Sequence, residues 1–195
     1  MIKKSLIVAS LLFATTSALA FDENKLYVGI GTSSGSGTFT ATSNNGGSST
    51  GDYDSSSTPL KIGYMLKNDN RFEFSLESMD HKFSGGTDTV SGWNMDWDFT
   101  YPNSKLGDII TPYWTIGFGS YEYEDTAKYF TSNENLKGFA FNYGIGGLYD
   151  INKNIEIEAS FKGKAISWQD VQYGSTTVSS DSTGTAMYLG INYKF

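Results

Sequence analysis

The last nine residues constrain the fold more than any other stretch. Met187, Leu189, Ile191, Tyr193 and Phe195 are apolar or aromatic, and Tyr188, Gly190, Asn192 and Lys194 stand between them. A period of two places the first set on one face of a strand and the second set on the other. A soluble domain gains little from an aromatic residue at a frayed terminus. A strand that closes a membrane barrel, in contrast, needs an apolar face toward lipid and tolerates a small, polar or charged face toward the lumen. The pattern therefore points to a β-barrel in a membrane.

The other end of the chain agrees. Lys3 and Lys4 precede a short apolar run from Leu6 to Phe13, and Ala18-Leu19-Ala20 follows as a small-x-small cleavage site. The run is too short to span a bilayer, so residues 1–20 are expected to be a secretory signal peptide and residues 21–195 the mature barrel domain. The formal net charge is −7, and the leader holds two of the lysines, so the mature chain is more acidic still. That argues against nucleic acid as a partner. With no cysteine, disulfides and an N-terminal lipid anchor are both excluded.

Eight segments alternate along the mature chain. They run from about Lys25 to Thr32, Thr58 to Lys67 and Arg71 to Phe83, then through Trp93–Tyr101, Trp114–Phe118, Phe139–Tyr149, Ile155–Phe161 and the C-terminal strand. Most reach the ~9–11 residues that a tilted strand needs to cross a bilayer. The connections alternate as well. Those after strands two, four and six are short, such as Asn68-Asp69-Asn70. Those after strands one, three, five and seven are longer, the longest being the Ser/Gly/Thr/Asn-rich stretch from about Ser33 to Ser57. Within it, Thr38–Thr42 reads as an extension of the first strand above the membrane. The expected fold is an all-β, eight-stranded antiparallel transmembrane barrel with short periplasmic turns and long extracellular loops.

The apolar face is too rich in Trp, Tyr, Phe, Ile and Leu to fit inside a barrel of eight strands, so it is assigned to lipid. Trp93, Tyr101, Trp114, Tyr143, Tyr149 and Tyr193 are candidates for the aromatic girdles. The lumen then receives Gly117, Gly119, Gly144 and Gly146, and charges of both signs: Lys61, Glu73, Glu77, Asp96, Asp98, Glu156, Glu158, Lys162, Lys164 and Lys194. Charges in a narrow lumen must be paired or hydrated. Two readings follow, a structural network that plugs the barrel, or a path for ions.

In this architecture the chain resembles the small eight-stranded outer-membrane β-barrels of the OmpX and OmpA transmembrane-domain type. Gly190, Tyr193 and the terminal Phe195 look like the C-terminal signal read by the barrel assembly machinery, which recognises an exposed strand by pairing with its edge. The resemblance implies residence in the outer membrane of a Gram-negative cell, contact with its lipid and lipopolysaccharide, and a monomer. No further domain is expected.

Some relatives of this architecture are enzymes that use a histidine at the outer rim. The single histidine, His81, lies between Asp80 and Lys82, with no assignable nucleophile, and reads as a rim residue rather than a base. Asp52 and Asp54 lack the oxygen spacing of a calcium loop, and one histidine without cysteine offers no zinc site. No cofactor, metal or catalytic residue is expected. The stretch Glu122–Asn135, with Tyr123, Tyr129 and Phe130 among Glu122, Glu124 and Asp125, is the richest contact surface. Phe39 and Tyr53 are the aromatic residues of the first loop. The expected function is a non-enzymatic, plugged barrel serving envelope integrity or surface interaction. The alternative is a small porin-like channel for ions or small solutes.

Overall fold

The computed structural model describes residues 25–107, 109–124 and 135–195. The expected signal peptide, and the loop residues Asp125, Tyr129 and Phe130, lie outside these. The described residues form β1 (Leu26–Ser43), β2 (Ser48–Ser57), β3 (Leu60–Met65), β4 (Arg71–Phe83), β5 (Gly86–Thr100), β6 (Ile110–Tyr123), β7 (Leu136–Asp150), β8 (Ile155–Trp168), β9 (Val171–Tyr173) and β10 (Thr176–Lys194). All pairings are antiparallel. From β3 to β8 each strand pairs with the next in sequence, β8 pairs with β10, and β10 returns to β1 in a register running from Tyr27 opposite Lys194 to Ser43 opposite Val178.

The ring has eight staves. β2 and β3 form one of them, in continuous register with β1 and β4 on either side. They are separated only by Thr58-Pro59, because proline has no N–H to give to a ladder. The Pro59 carbonyl still accepts from the Gly31 amide at 3.2 Å. β9 pairs only with the top of β10.

Among the described residues, the long connections turn out to be built largely of strand. Nearly all of Ser33–Ser57 is a hairpin whose turn occupies only the residues between Ser43 and Ser48, with Gly46 at φ 90°. The stretch after β8 likewise folds into β9 and β10, turning at Gly174 with φ 61°. β4 and β5 meet in a tight turn after Phe83. Polar sequence can form these tall hairpins because the strands continue their backbone ladders upward and the hydroxyls make ladders of their own. Thr38 meets Thr183 at 3.2 Å, Thr40 meets Thr50 at 3.3 Å, and Thr42 meets Ser48 at 3.4 Å. Cross-strand pairs of this kind add about 0.2–1 kcal/mol each over alanine pairs.

The outer face of the lower barrel is apolar and exposed, as Phe72, Trp97, Ile116, Phe141, Ile145, Phe161, Leu189 and Ile191 show. Tyr101, Tyr143, Tyr149 and Tyr193 share that face. Near the short turns, Phe99 stacks on Trp114 at 4.1 Å, and the Trp114 indole donates to the Tyr101 hydroxyl at 3.0 Å. An apolar band of this extent, bounded by amphipathic rings, is the surface a bilayer covers.

The apolar face lies outward as expected, and the lumen in addition holds four large rings: Tyr27, Tyr113, Tyr121 and Tyr188 point inward and are buried. They fit because glycine stands opposite. Tyr27 pairs with Gly63, Tyr113 with Gly146 and Tyr121 with Gly92. A Cβ on Gly63 would lie 2.1 Å from the Tyr27 ring. Gly63→Val should therefore destabilise the barrel by about 1–3 kcal/mol through overpacking. Urea unfolding in detergent micelles measures it, and a loss below that range would show that Tyr27 can move aside.

Candidate functional site

The lumen gathers the polar side chains that strand alternation turns inward, and they form layers. Near the short turns, Arg71 on β4 reaches across to Glu156 on β8, donating from both Nη atoms at 2.6 Å. Asn192 adds a bond to Glu156 at 2.9 Å. Lys194 lies 3.5 Å from Glu156 and pairs with Asp150 at the rim.

The middle layer centres on Lys61. Its ammonium donates to Glu73 at 2.6 Å and also to Glu158. Tyr27 donates to Glu73 at 2.8 Å and Tyr113 to Glu158 at 2.7 Å. Lys162 stands farther off, 3.8 Å from Glu158 on its own strand. Above, Glu77 accepts from Ser57 at 2.6 Å, from Tyr121 at 2.6 Å and from Lys164.

All ten lumen charges expected from sequence face inward, but not all are paired. Asp96 accepts from Asn142 at 3.1 Å. Asp98 is 1% exposed, and its Oδ1 has no hydrogen-bond partner. Neither has a cation within ion-pair distance among the described residues. With Arg71 added, five cations face the six carboxylates of the polar layers, Glu73, Glu77, Asp96, Asp98, Glu156 and Glu158, and Asp88, 8% exposed, is a further buried carboxylate higher in the lumen. Arg71 was not anticipated because it abuts the Asn68–Asn70 turn, yet its parity with Glu73 was a sufficient signal.

A cavity of about 100 Å³ lies beside these layers, bordered by Ser33, Ser57, Pro59, Ala186, Lys162 and Lys164. That is room for several waters. Above it the lumen becomes apolar. Met79, Val90, Tyr121, Tyr123, Leu136, Ala140, Ile166 and Trp168 form one buried cluster, with Phe39 and Val171 packed against it. Over most of this height the outward residues are polar, among them Asp80 and Lys82, with Phe139 marking the upper edge of the apolar belt, so the segment rises above the membrane.

His81 is in this upper region, 2% exposed, its ring stacked on Tyr53 at 4.1 Å. Burial, reinforced by the nearby Lys164 ammonium, pushes the imidazole down to about 4 despite Glu77, Asp88 and Asp80. Burial raises the Tyr53 phenol to about 12. Register puts His81 between Ser55 and Asp88, the residue types of an acyl-transfer relay. The relay is not assembled: Asp88 accepts from Tyr123 at 2.5 Å, and His81 Nδ1 has no partner. His81 is thus a buried residue of the upper lumen, where the sequence suggested the rim. Asp52 and Asp54 sit exposed on the outer face of β2. At the C-terminus, Tyr193 and Phe195 are exposed with ring centroids 5.3 Å apart, and Gly190 leaves room for the Tyr188 ring.

The chain is an eight-stave transmembrane β-barrel. No family model matches it, and no curated protein matches it in sequence. Similar solved structures include Neisserial surface protein A, at 14% identity over 87% of this chain and 97% of that one, TM-score 0.49. The N-terminal barrel domain of Pseudomonas aeruginosa OprF shares 16% identity over 84% and 97%, TM-score 0.44. The attachment invasion locus protein Ail of Yersinia pestis shares 17% over 86% and 98%, TM-score 0.39. At these values no role passes from them to this chain.

Two outcomes follow from the lumen. Lys61→Met strands Glu73 and Glu158 and should cost about 3–5 kcal/mol, whereas Lys162→Met, with its longer contact, should cost less than about 1 kcal/mol. Equal losses in equilibrium unfolding would contradict this layering. His81 has its folded pKa below its unfolded one, so the unfolded chain takes up the proton first as pH falls. The stability it contributes is complete above about pH 6.5 and is lost toward pH 4. Acid unfolding of His81→Phe, compared with the parent, should lack that part of the pH dependence; superimposable profiles would rule it out.

Proposed function

We propose that this chain is exported to the outer membrane of a Gram-negative cell and serves there as a non-enzymatic, non-conducting barrel. Its work in envelope integrity or surface interaction is done by the hairpins that rise above the membrane. The observation that carries this reading is the double closure of the lumen. The Lys61, Arg71 and Lys164 ion pairs cross it below, and the cluster around Tyr123, Leu136 and Trp168 fills it above. An ion crossing the barrel would have to displace both, and buried pairs broken on one side are costly.

The same reading makes lipid and lipopolysaccharide the partners of the apolar belt, and the barrel assembly machinery the partner of Gly190, Tyr193 and Phe195 during biogenesis. The tall hairpins present hydroxyl ladders and the exposed acids Asp52, Asp54 and Asp181 on a rigid frame, the arrangement in which surface recognition is built on fixed strands rather than on loose loops.

Planar-bilayer recording of the refolded, detergent-purified protein tests the proposal. The expected result is a silent membrane with a folded β spectrum. Reproducible channels whose ion selectivity changes in Lys162→Met and Lys164→Met would replace this reading with a small porin-like channel.

A further inference from the structure

The upper edge of the apolar belt is not level. A hydrogen-bonded row that leaves β1 at Gly29 for Lys61 on β3 passes Ala140 on β7 and comes back to β1 at Phe39, ten residues farther up. Each step from one stave to the next therefore climbs by just over one residue. Corrected for that climb, Phe141 on β7 stands at the height of Ser34 on β1, Ser78 on β4 and Thr185 on β10, and all four face outward and are exposed. Tyr143 stands at the height of Thr32.

The highest large apolar side chain facing outward on β7 is Phe139, 61% exposed; on β10 it is Met187, on β3 Leu60 and on β1 Ile30. At ~3.3 Å per residue and a strand tilt of ~40°, the edge on those three strands lies on the order of 10 Å below that on β7. At the end of the short turns the belt closes nearly level, with Ile151 after β7, Phe195 after β10 and Leu66 after β3. The belt is thus a wedge, tall at β7 and short at β10, β1 and β3.

A second feature falls on the short side. The β2–β4 ladder ends at Ser57 opposite Met79, and the β3–β4 ladder begins at Leu60 opposite Leu76, so Thr58-Pro59 belongs to neither. Thr58 is exposed on the outer face, at the height of Phe118 on β6. An interrupted ladder facing hydrocarbon has no water to satisfy its backbone groups and is not found there. The outline of the belt and the break in the wall independently call for polar surroundings in the same sector.

We propose that, on the side of the tall hairpins, the polar headgroups of the leaflet descend along β10, β1 and the stave of β2 and β3 to the level of Thr32 and Thr58, so that the barrel thins the membrane on one flank. A span shorter than the hydrocarbon is accommodated by local thinning. The sector offers hydroxyls and no charge until Asp54, Asp80 and Asp181 above it, which suits an electrically neutral headgroup. Conduction through the lumen does not enter the argument.

The chain has no cysteine, so a nitroxide can be attached at single sites in the full barrel refolded into phosphatidylcholine vesicles. The sites are Thr32→Cys, Thr58→Cys and Ser78→Cys, with Phe141→Cys as the lipid reference and Asp52→Cys as the water reference. Ser34→Cys replaces any of the three that does not fold. Collision with a water-soluble nickel chelate should be severalfold greater at positions 32, 58 and 78 than at 141, and close to that at 52. Oxygen-dominated access at 32, 58 and 78, matching 141, overturns the proposal. A tilted barrel would instead level its upper edge by drawing the β3–β4 turn into lipid; a label at Asn68→Cys should stay in water, and its entry into the oxygen-rich layer overturns the thinning. Shelter of 32, 58 and 78 from both reagents, with spin–spin broadening, overturns it in favour of a second copy seated on this flank.

Discussion

The interior depends on Lys61. It stands on the stave that Pro59 interrupts and holds two carboxylates that come from different sides of the barrel, Glu73 on the adjacent strand and Glu158 on β8. A buried ammonium is tolerable only with such company, and the two carboxylates are in turn met by the Tyr27 and Tyr113 hydroxyls. Those tyrosines fit only over Gly63 and Gly146. Charge, hydroxyl and glycine thus specify one another, and the staves that carry them are fixed in register by that requirement as much as by backbone pairing.

Around this network the barrel reverses its polarity along its axis. In the lower part the ions and amides are inside and the Phe, Trp, Ile and Leu side chains outside. In the upper part Val90, Leu136, Ile166 and Trp168 are inside, and serine, threonine and aspartate are outside. The same alternation of side chains continues through both parts; only the solvent changes, from lipid to water. Each half buries its apolar groups away from whatever aqueous phase adjoins it. The upper half behaves as a small soluble barrel, and the lower half as a membrane barrel, on shared strands.

Much of this was legible in the sequence. Alternation in Trp93–Tyr101 and Met187–Phe195 reveals strand, face and stave count, because a one-residue slip would put the lumen charges into lipid. The inward direction of Lys61, Glu73, Glu156 and Glu158 follows from the same parity. What was not legible depends on partners far apart in the chain. Parity turns Tyr27, Tyr113 and Tyr188 inward, but the room for such rings is visible only when Gly63, Gly92 and Gly146 are seen opposite Tyr27, Tyr121 and Tyr113. The apolar cluster draws on five strands, none of which has a distinctive run there. Thr38–Thr42 reads as strand and lies in β1, but the rest of the hairpins of β1, β2 and β10 reads as loop because Ser, Gly and Thr alternate without contrast, and cross-strand hydroxyl pairing marks them as strand.

The reversal of polarity can be measured with the four tryptophans of the chain. Trp93, Trp97 and Trp114 belong to the lipid-facing side, and Trp168 is 4% exposed inside the upper lumen. In vesicles containing brominated lipids, single-tryptophan variants that keep Trp93, Trp97 or Trp114 should be strongly quenched, and the variant that keeps only Trp168 should be protected from both the lipid quencher and aqueous acrylamide. Quenching of Trp168 by brominated acyl chains, with protection of the other three, would contradict the account and turn the barrel inside out.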